Sequence, residues 1–259
     1  MLDRPSLLLD IGNTSIKYAW YTFPNNIADL QVMRTTLDGL RELTNDAASC
    51  WLCSVIDDDT NERIKEICRQ SNISLFEAHT QASQYGIVNA YSAPSNMGSD
   101  RWMAIIAGAS LCDKGNQINY IAIDAGTAIT CDFVVGNQHL GGWIAPGLSL
   151  ARTAVVSQTK RVFDEHQDMS YLTLGKNTPQ CVANGALAQL LGMLSQACNT
   201  MQQKCTQFEI YISGGDAPLL INAFKKIENS DNSVNLNYLE NIVLVGLAKV
   251  AHEYLAGND

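Results

Sequence analysis

Two short stretches of the chain carry residue types that can do chemistry together. "LLLDIGNTSIKYAW" begins at Leu7 and "YIAIDAGTAITCDFV" at Tyr120. Each is an apolar run, then Asp-x-Gly, then a small polar residue and a second apolar-leaning run. With Asp10 set on Asp124, Gly12 falls on Gly126 and Asn13 on Thr127. A glycine-containing turn lets backbone N–H groups come close to a ligand. Asn13, Thr14 and Thr127 add short polar side chains, and this chemistry suits phosphate oxygens. The carboxylates of Asp10 and Asp124 are poor neighbours for phosphate but good ones for a cation that bridges to it. Two facing copies can grip a polyphosphate from both sides. A single turn of this kind is also what an ordinary hairpin looks like; the repetition in register is what favours phosphate. The common nucleotide fingerprints are missing. There is no GxGxxG, and "GKNT" at 175 has Ser170 where a P-loop needs its first glycine.

The elements that must position these residues follow from pattern. Both apolar runs are rich in Leu, Ile and Val and end at Asp-x-Gly, as buried strands entering a turn do. Ser15 to Trp20 and Ala128 to Val134 are predicted to return as second strands, giving two hairpins with a carboxylate at each mouth. "SCWLCSVI" (49–56) reads as a strand and "DTNERIKEICRQ" after it as a helix. "SDRWMAIIAGASLC" reads as a helix capped by Ser99, with Trp102, Ile105, Ile106 and Ala109 as its apolar stripe. Thr178 as N-cap and Pro179 as first helical residue open a long helix to about Lys204, and "FEIYIS" (208–213) is a strand ending at Gly214-Gly215. Strand-rich starts followed by helices, twice over, predict two related α/β halves, residues 1–115 and 116–259, with a cleft between them.

Composition narrows the function classes. With 259 residues, 46% of them hydrophobic, the chain can bury a substantial core. A formal charge of −9 without a basic stripe argues against nucleic acid and anionic membrane as partners. No apolar run approaches the roughly 20 residues that span a bilayer, and the N-terminus makes a poor signal peptide. A cytoplasmic location is the expectation. The eight cysteines are scattered, so reduced core thiols are expected; Cys50 and Cys53 have CxxC spacing but no second pair completes a zinc site. His79, His139, His166 and His252 show no metal-binding spacing.

Further pieces make the pattern specific. "DIGNTSIK" (10–17), "GSDRW" (98–102) with Tyr91 and Pro94 upstream, "DAGTAITCD" (124–132), "GGWIAPG" (141–147), "NTPQCVANG" (177–185) and "SGGD" (213–216) occur in one order over nearly the whole chain. Together they resemble the type III pantothenate kinases, within the superfamily of acetate and sugar kinases, Hsp70 and actin. The resemblance implies an α/β fold of two duplicated ribonuclease H-like halves, the actin-like ATPase fold. It implies transfer of the γ-phosphoryl group of ATP to the primary hydroxyl of pantothenate, a divalent ion such as Mg²⁺ with the ATP, a potassium or ammonium ion in the site, and a homodimer.

Roles carried over by the resemblance are these. Asp10, Ile11, Gly12, Asn13, Thr14, Ser15, Ile16 and Lys17 would hold ATP phosphates, with Asp10 near Mg²⁺. Thr127 would touch ATP, the "SGGD" stretch (213–216) with Gly214 and Gly215 would sit by the adenosine, and Asp124 would ligate the monovalent cation. Tyr91, Gly98, Ser99, Asp100, Arg101 and Thr178 would contact pantothenate, and Asp100 would accept its proton. Plainer readings stand beside these: Asp100 as a first-turn helix acid with Arg101 its solvated neighbour, Tyr91 as core, Thr178 as a cap alone. Gly185, Ala186, Ala188 and Gly192 permit close packing on the long helix, either in the core or against a second copy. The competing functions are a non-catalytic regulator on the same fold and another small-molecule kinase or polyphosphate hydrolase of the superfamily.

Overall fold

The computed structural model describes residues 4–12, 15–112, 118–158, 171–227 and 235–257. In chain order the elements are β1 (Ser6–Gly12), β2 (Ser15–Tyr21), β3 (Met33–Thr35), α1 (Leu37–Asp46), β4 (Ser49–Ser54), α2 (Asp58–Gln70), β5 (Ser74–Glu77), β6 (Ser83–Gln84), β7 (Ile87–Val88) and α3 (Ser99–Leu111). There follow β8 (Asn119–Ala125), β9 (Ala128–Val135), β10 (Gln138–Pro146), α4 (Leu148–Ser157), α5 (Thr178–Gln202), β11 (Glu209–Ser213), α6 (Ala217–Ile227), β12 (Asn235–Tyr238) and α7 (Ile242–Ala256).

The chain forms two compact units, Met1–Leu111 with Asn241–Asp259, and Cys112–Glu240. Sequence reasoning drew one boundary, at 115/116. The last helix packs with the first unit because its apolar surface meets α3 and β1 there, an association across more than 100 residues of chain that no local pattern reveals.

Each unit carries the same five-strand plan. In the first the order is β3-β2-β1-β4-β5: β1, β2 and β3 form an antiparallel meander, and β4 and β5 run parallel to β1. In the second, β10, β9 and β8 form the meander, and β11 and β12 run parallel to β8. The duplication expected from the twin motifs is therefore a duplication of topology.

β1 is a continuous apolar run because both of its faces are covered. Leu7, Leu9 and Ile11 pack with Leu40 of α1, Ile64 of α2 and Leu52 of β4. Leu8, on the opposite face, is fully buried as well. In the second unit Ile121, Ile123 and Ala125 pack with Leu187 and Leu190 of α5 and with Leu220 and Phe224 of α6. Burying such a side chain stabilises the fold by about 1.5–3 kcal/mol, so the strands that carry Asp10 and Asp124 are rigid supports.

Three local expectations are corrected. Thr178 is the first helical residue of α5; the cap is Asn177, whose Oδ1 accepts the Gln180 N–H at 3.0 Å. Ser99 likewise lies inside α3, with its hydroxyl directed to the Ser54 carbonyl at 3.5 Å. α3 has no single stripe: every residue from Arg101 to Gly108 is buried, as in a helix enclosed on all sides.

Candidate active site

Asp10 lies near the end of β1, opposite Lys17 across the hairpin and beside Cys53 on β4. Its Oδ2 accepts a hydrogen bond from Asn241 Nδ2 at 2.7 Å and lies 4.0 Å from Lys17 Nζ. Ile11 is buried and Ile16 packs on the same core, so only their backbone atoms can serve a ligand at this turn. Gly12 and Ser15 pair at its base. Asn13 and Thr14, expected to serve phosphate, lie outside the described residues.

The "GSDR" stretch forms the start of α3 next to this strand. The Cys53 thiol donates to Ser99 Oγ at 3.4 Å, tying the head of α3 to β4. Burial, and after it the Asp10 charge, push the Cys53 thiol well above its ordinary pKa; Asp100 acts in the same direction and the Ser99 hydrogen bond opposes it. Cys53 thus stays protonated and neutral close to both carboxylates. Asp100 sits in the first turn and its Oδ1 accepts the Arg101 N–H at 2.7 Å. Arg101 is buried, not solvated, and its Nη1 donates to Tyr91 Oη at 3.0 Å. The guanidinium carbon lies 5.7 Å from the Tyr91 ring centroid. Two residues separately expected to meet the acceptor substrate are therefore joined. A cavity of about 540 Å³ adjoins this stretch, lined among others by Ser54, Asn61, His79, Thr80, Gly98 and Ser99.

The second turn is built differently. Asp124 is the penultimate residue of β8, opposite Thr130, and its Oδ1 accepts the Ser213 hydroxyl at 2.9 Å. Backbone from two distant segments presses on the turn. Gly214, at φ +99°, packs on the Ala125 backbone, and Gly147 packs on the carbonyls of Gly126 and Thr127; a Cβ on either would collide. The Gly147 N–H donates to the Thr127 carbonyl at 3.0 Å. Thr127 itself is exposed at the apex, and Gly215 is exposed beyond β11. Asp216 accepts the Leu148 N–H at 3.1 Å, capping α4, whose own N-cap Gly147 has no side chain to do so. Burial raises the Asp216 pKa and this hydrogen bond opposes the rise. Thr178 is exposed in the first turn of α5.

Among the described residues no group of three or more His, Cys, Asp or Glu side chains could hold a metal on its own. Asp10 and Asp124 are single carboxylates, which suits ions that draw most of their ligands from phosphate and water. All eight cysteines are free thiols. His139 is buried against Asp132 at 3.1 Å, and His252 meets the Tyr21 hydroxyl at 2.6 Å; His166 lies outside the described residues. No helix among them is long and apolar enough to cross a membrane.

Asn241 and Cys53 escaped the sequence-based assignment of site residues; Ser213 and Asp216 fell within the "SGGD" stretch expected by the adenosine, but their bonds to Asp124 and to the Leu148 N–H did not follow from it. Asn241 had one local signal, an Asn preceding an apolar run, which marks a helix cap. Its bond to Asp10, 231 positions away, had none.

Two five-strand units of one topology, each with a carboxylate where its first strand meets a turn, define the actin-like class of α/β folds, to which sugar kinases also belong. A ROK hexokinase from Thermus thermophilus superposes with a TM-score of 0.50 at 13% identity, covering 97% of this chain and 99% of its own. A protein from Campylobacter jejuni described as a Baf family transcriptional activator gives a TM-score of 0.61 at 18% identity, covering 96% and 99%. At such identities the likeness is one of fold. The family is set by sequence: the type III pantothenate kinase model matches residues 6–200, and this chain belongs to that family. A Pseudoalteromonas atlantica protein named type III pantothenate kinase is 34% identical over 239 residues, covering 91% of this chain and 96% of the relative. An Acinetobacter baumannii protein of the same name is 35% identical over 231 residues, covering 86% and 90%.

Proposed function

We propose that this chain transfers the γ-phosphoryl group of ATP to the primary hydroxyl of pantothenate, yielding 4'-phosphopantothenate for coenzyme A synthesis. The observation that carries the reading is the family match over residues 6–200, which takes in both Asp-x-Gly turns and the "GSDR" stretch.

In this reading Asp100 orients the acceptor hydroxyl and takes its proton as the new oxygen–phosphorus bond forms. An ordinary aspartate cannot deprotonate a free alcohol beforehand, but a positioned base in the transition state is worth about 10²–10⁴-fold. Arg101, held by Tyr91, receives the carboxylate of pantothenate through its forked donors, with Gly98, Ser99 and Thr178 completing the contacts. The cavity beside Gly98 and Ser99 and the burial of Arg101 support an enclosed acceptor site. Residues 10–17 and Thr127 attend the ATP phosphates, and Gly214 and Gly215 the adenosine. Asp10 would hold a divalent ion, and Asp124 a potassium or ammonium ion; such ions, when bound, offset charge on the phosphates.

The protein acts as a cytoplasmic homodimer in this reading. The outward face of α5 supports pairing: Gly185, Ala188 and Gly192 are exposed, and among the described residues nothing lies within 4 Å of a Cβ placed on either glycine. The test is ADP release from ATP across a panel of pantothenate, sugars and polyphosphate, with sedimentation to give the oligomeric state. Turnover with pantothenate is the expected result. Turnover with a sugar instead, or with no acceptor in the panel, overturns the reading.

A further inference from the structure

Asp10 is held by a residue from the far end of the chain. Asn241 is the N-cap of α7 and is almost completely buried. Its Oδ1 accepts the Leu244 N–H at 2.8 Å, and its Nδ2 donates to Asp10 Oδ2 at 2.7 Å. The amide cannot be turned over. A backbone N–H only donates, so the oxygen must face Leu244 and the NH₂ must face Asp10.

The support behind Asn241 is stiff. Every residue from Ile242 to Ala248 is buried, and a Cβ on Gly246 would strike the Met103 carbonyl, so α7 and α3 cross in backbone contact. Asn241 therefore reaches Asp10 from a packed helix end, while Lys17 approaches the same oxygen from the facing strand.

We propose that Asn241 is a positioning residue for Asp10: it locks the carboxylate in the orientation that receives a divalent ion accompanying the nucleotide. This rests on the proposed role of Asp10. Partners that orient a metal-binding carboxylate typically change metal affinity or activity 10–100-fold when removed. Capping by Asn and by Ser is of similar strength, so the two duties of Asn241 can be separated. Asn241→Ser keeps a capping oxygen, but its single short hydroxyl cannot also hold Asp10. Asn241→Asp keeps the cap and sets a like charge against Asp10.

The experiment measures ATP binding by calorimetry with and without Mg²⁺, beside thermal stability and the Mg²⁺ dependence of turnover. Asn241→Ser should melt within a few degrees of the wild type, bind ATP alone unchanged, and need about tenfold more Mg²⁺ to reach full ATP affinity. Asn241→Asp should need more still. In Asp10→Asn, adding Asn241→Ser should have little further effect on the Mg²⁺ requirement, since residues acting through one another are not additive. A well-folded Asn241→Ser with the wild-type Mg²⁺ requirement overturns the proposal, as does full additivity with Asp10→Asn; should Asn241→Ser not fold, Asn241→Asp decides by the same readings. If the wild type binds Mg²⁺-ATP but shows no turnover with pantothenate, the functional reading fails, and the calorimetric result still judges Asn241.

Discussion

The two Asp-x-Gly turns occupy the same place in the same five-strand plan, yet their carboxylates are held by different chemistry. Asp10 faces a cation, Lys17, and is gripped by the buried amide of Asn241. Asp124 faces the hydroxyl residue Thr130 and accepts from the hydroxyl of Ser213. Aligning the sequences by their Asp-x-Gly motifs sets Cys131 against Lys17. The strand register is different: Asp10 pairs with Lys17, but Asp124 pairs with Thr130, one residue earlier. The second hairpin is tighter by one residue, and Cys131 points into the core. In either register the second turn lacks the positive charge that Lys17 gives the first, because neither Thr130 nor Cys131 is cationic. One turn carries its own positive charge; an anion at the other needs positive charge from elsewhere, which is the physical case for a monovalent cation at Asp124.

The largest effect should come from the first unit alone, where Asp100 lies. Asp100→Asn keeps the shape and removes the proposed base, so kcat should fall by roughly 10²-fold or more with the fold intact. Steady-state kinetics with pantothenate, beside a melting curve, checks this. Near-normal turnover would move the acid–base work elsewhere.

Next in size is a cross between the two turns. Asp10→Asn should raise the divalent-ion requirement by about 10–100-fold, in line with the loss of a metal-orienting or metal-binding partner. Asp124→Asn should leave that requirement nearly unchanged and flatten the dependence on potassium. Titration of each ion at constant ionic strength, with a large organic cation as replacement, measures both. If the two variants respond alike to both ions, the turns are equivalent and the difference in their surroundings has no functional meaning.

How much of this could be read from the chain depends on the range of each interaction. The hairpins, β4, α3, β11 and α5 were legible because strand and helix periodicity are local, as were the aspartates at the strand ends. Asn241 was not assigned to the site, and Ser213 was expected by the adenosine but not on Asp124, because their partners lie 231 and 89 positions away. The joining of Arg101 to Tyr91 falls between: both were picked out singly, and the hydrogen bond between them depends on how the turn at Pro94–Asn96 brings Tyr91 back to the start of α3. The tighter second hairpin shows a third limit. Motif alignment fixes identities, while register depends on turn geometry, and a one-residue difference changes which side chains face each other.

A smaller effect tests how the turns are buttressed. Gly214 needs its left-handed backbone and its close approach to Ala125. Gly214→Ala should cost roughly 1–3 kcal/mol in strain and lower Tm by several degrees. At the first turn, nothing among the described residues lies within 4 Å of a Cβ on Gly12, so Gly12→Ala should scarcely move Tm, whatever it does to ATP binding. Equal melting shifts would show that the second turn does not depend on its glycine wedge.

The smallest effect concerns the carboxylate that holds the second buttress. Asp216 caps α4 from outside the helix, and burial lifts its pKa above the ordinary 3.8 against the opposing pull of the Leu148 N–H. A carboxyl whose folded pKa is raised favours folding in its protonated form. That contribution is complete below 3.8 and is lost as pH rises through the folded value. At neutral pH the half-buried charge therefore costs stability, even though an acidic group at a helix N-terminus gains some dipole energy. Asp216→Asn keeps an oxygen for the Leu148 N–H and sheds the charge, as the neutral amide of Asn241 does beside the first turn. Its Tm should exceed that of the wild type by roughly 1–2 °C at pH 7, and the gain should shrink as pH is lowered toward 4 and the wild-type carboxyl takes up its proton. Scanning calorimetry of both proteins across that range measures the difference. A variant less stable than the wild type at pH 7, by a margin that narrows on acidification, would mean that the dipole interaction outweighs burial and that the negative charge itself stabilises the α4 cap.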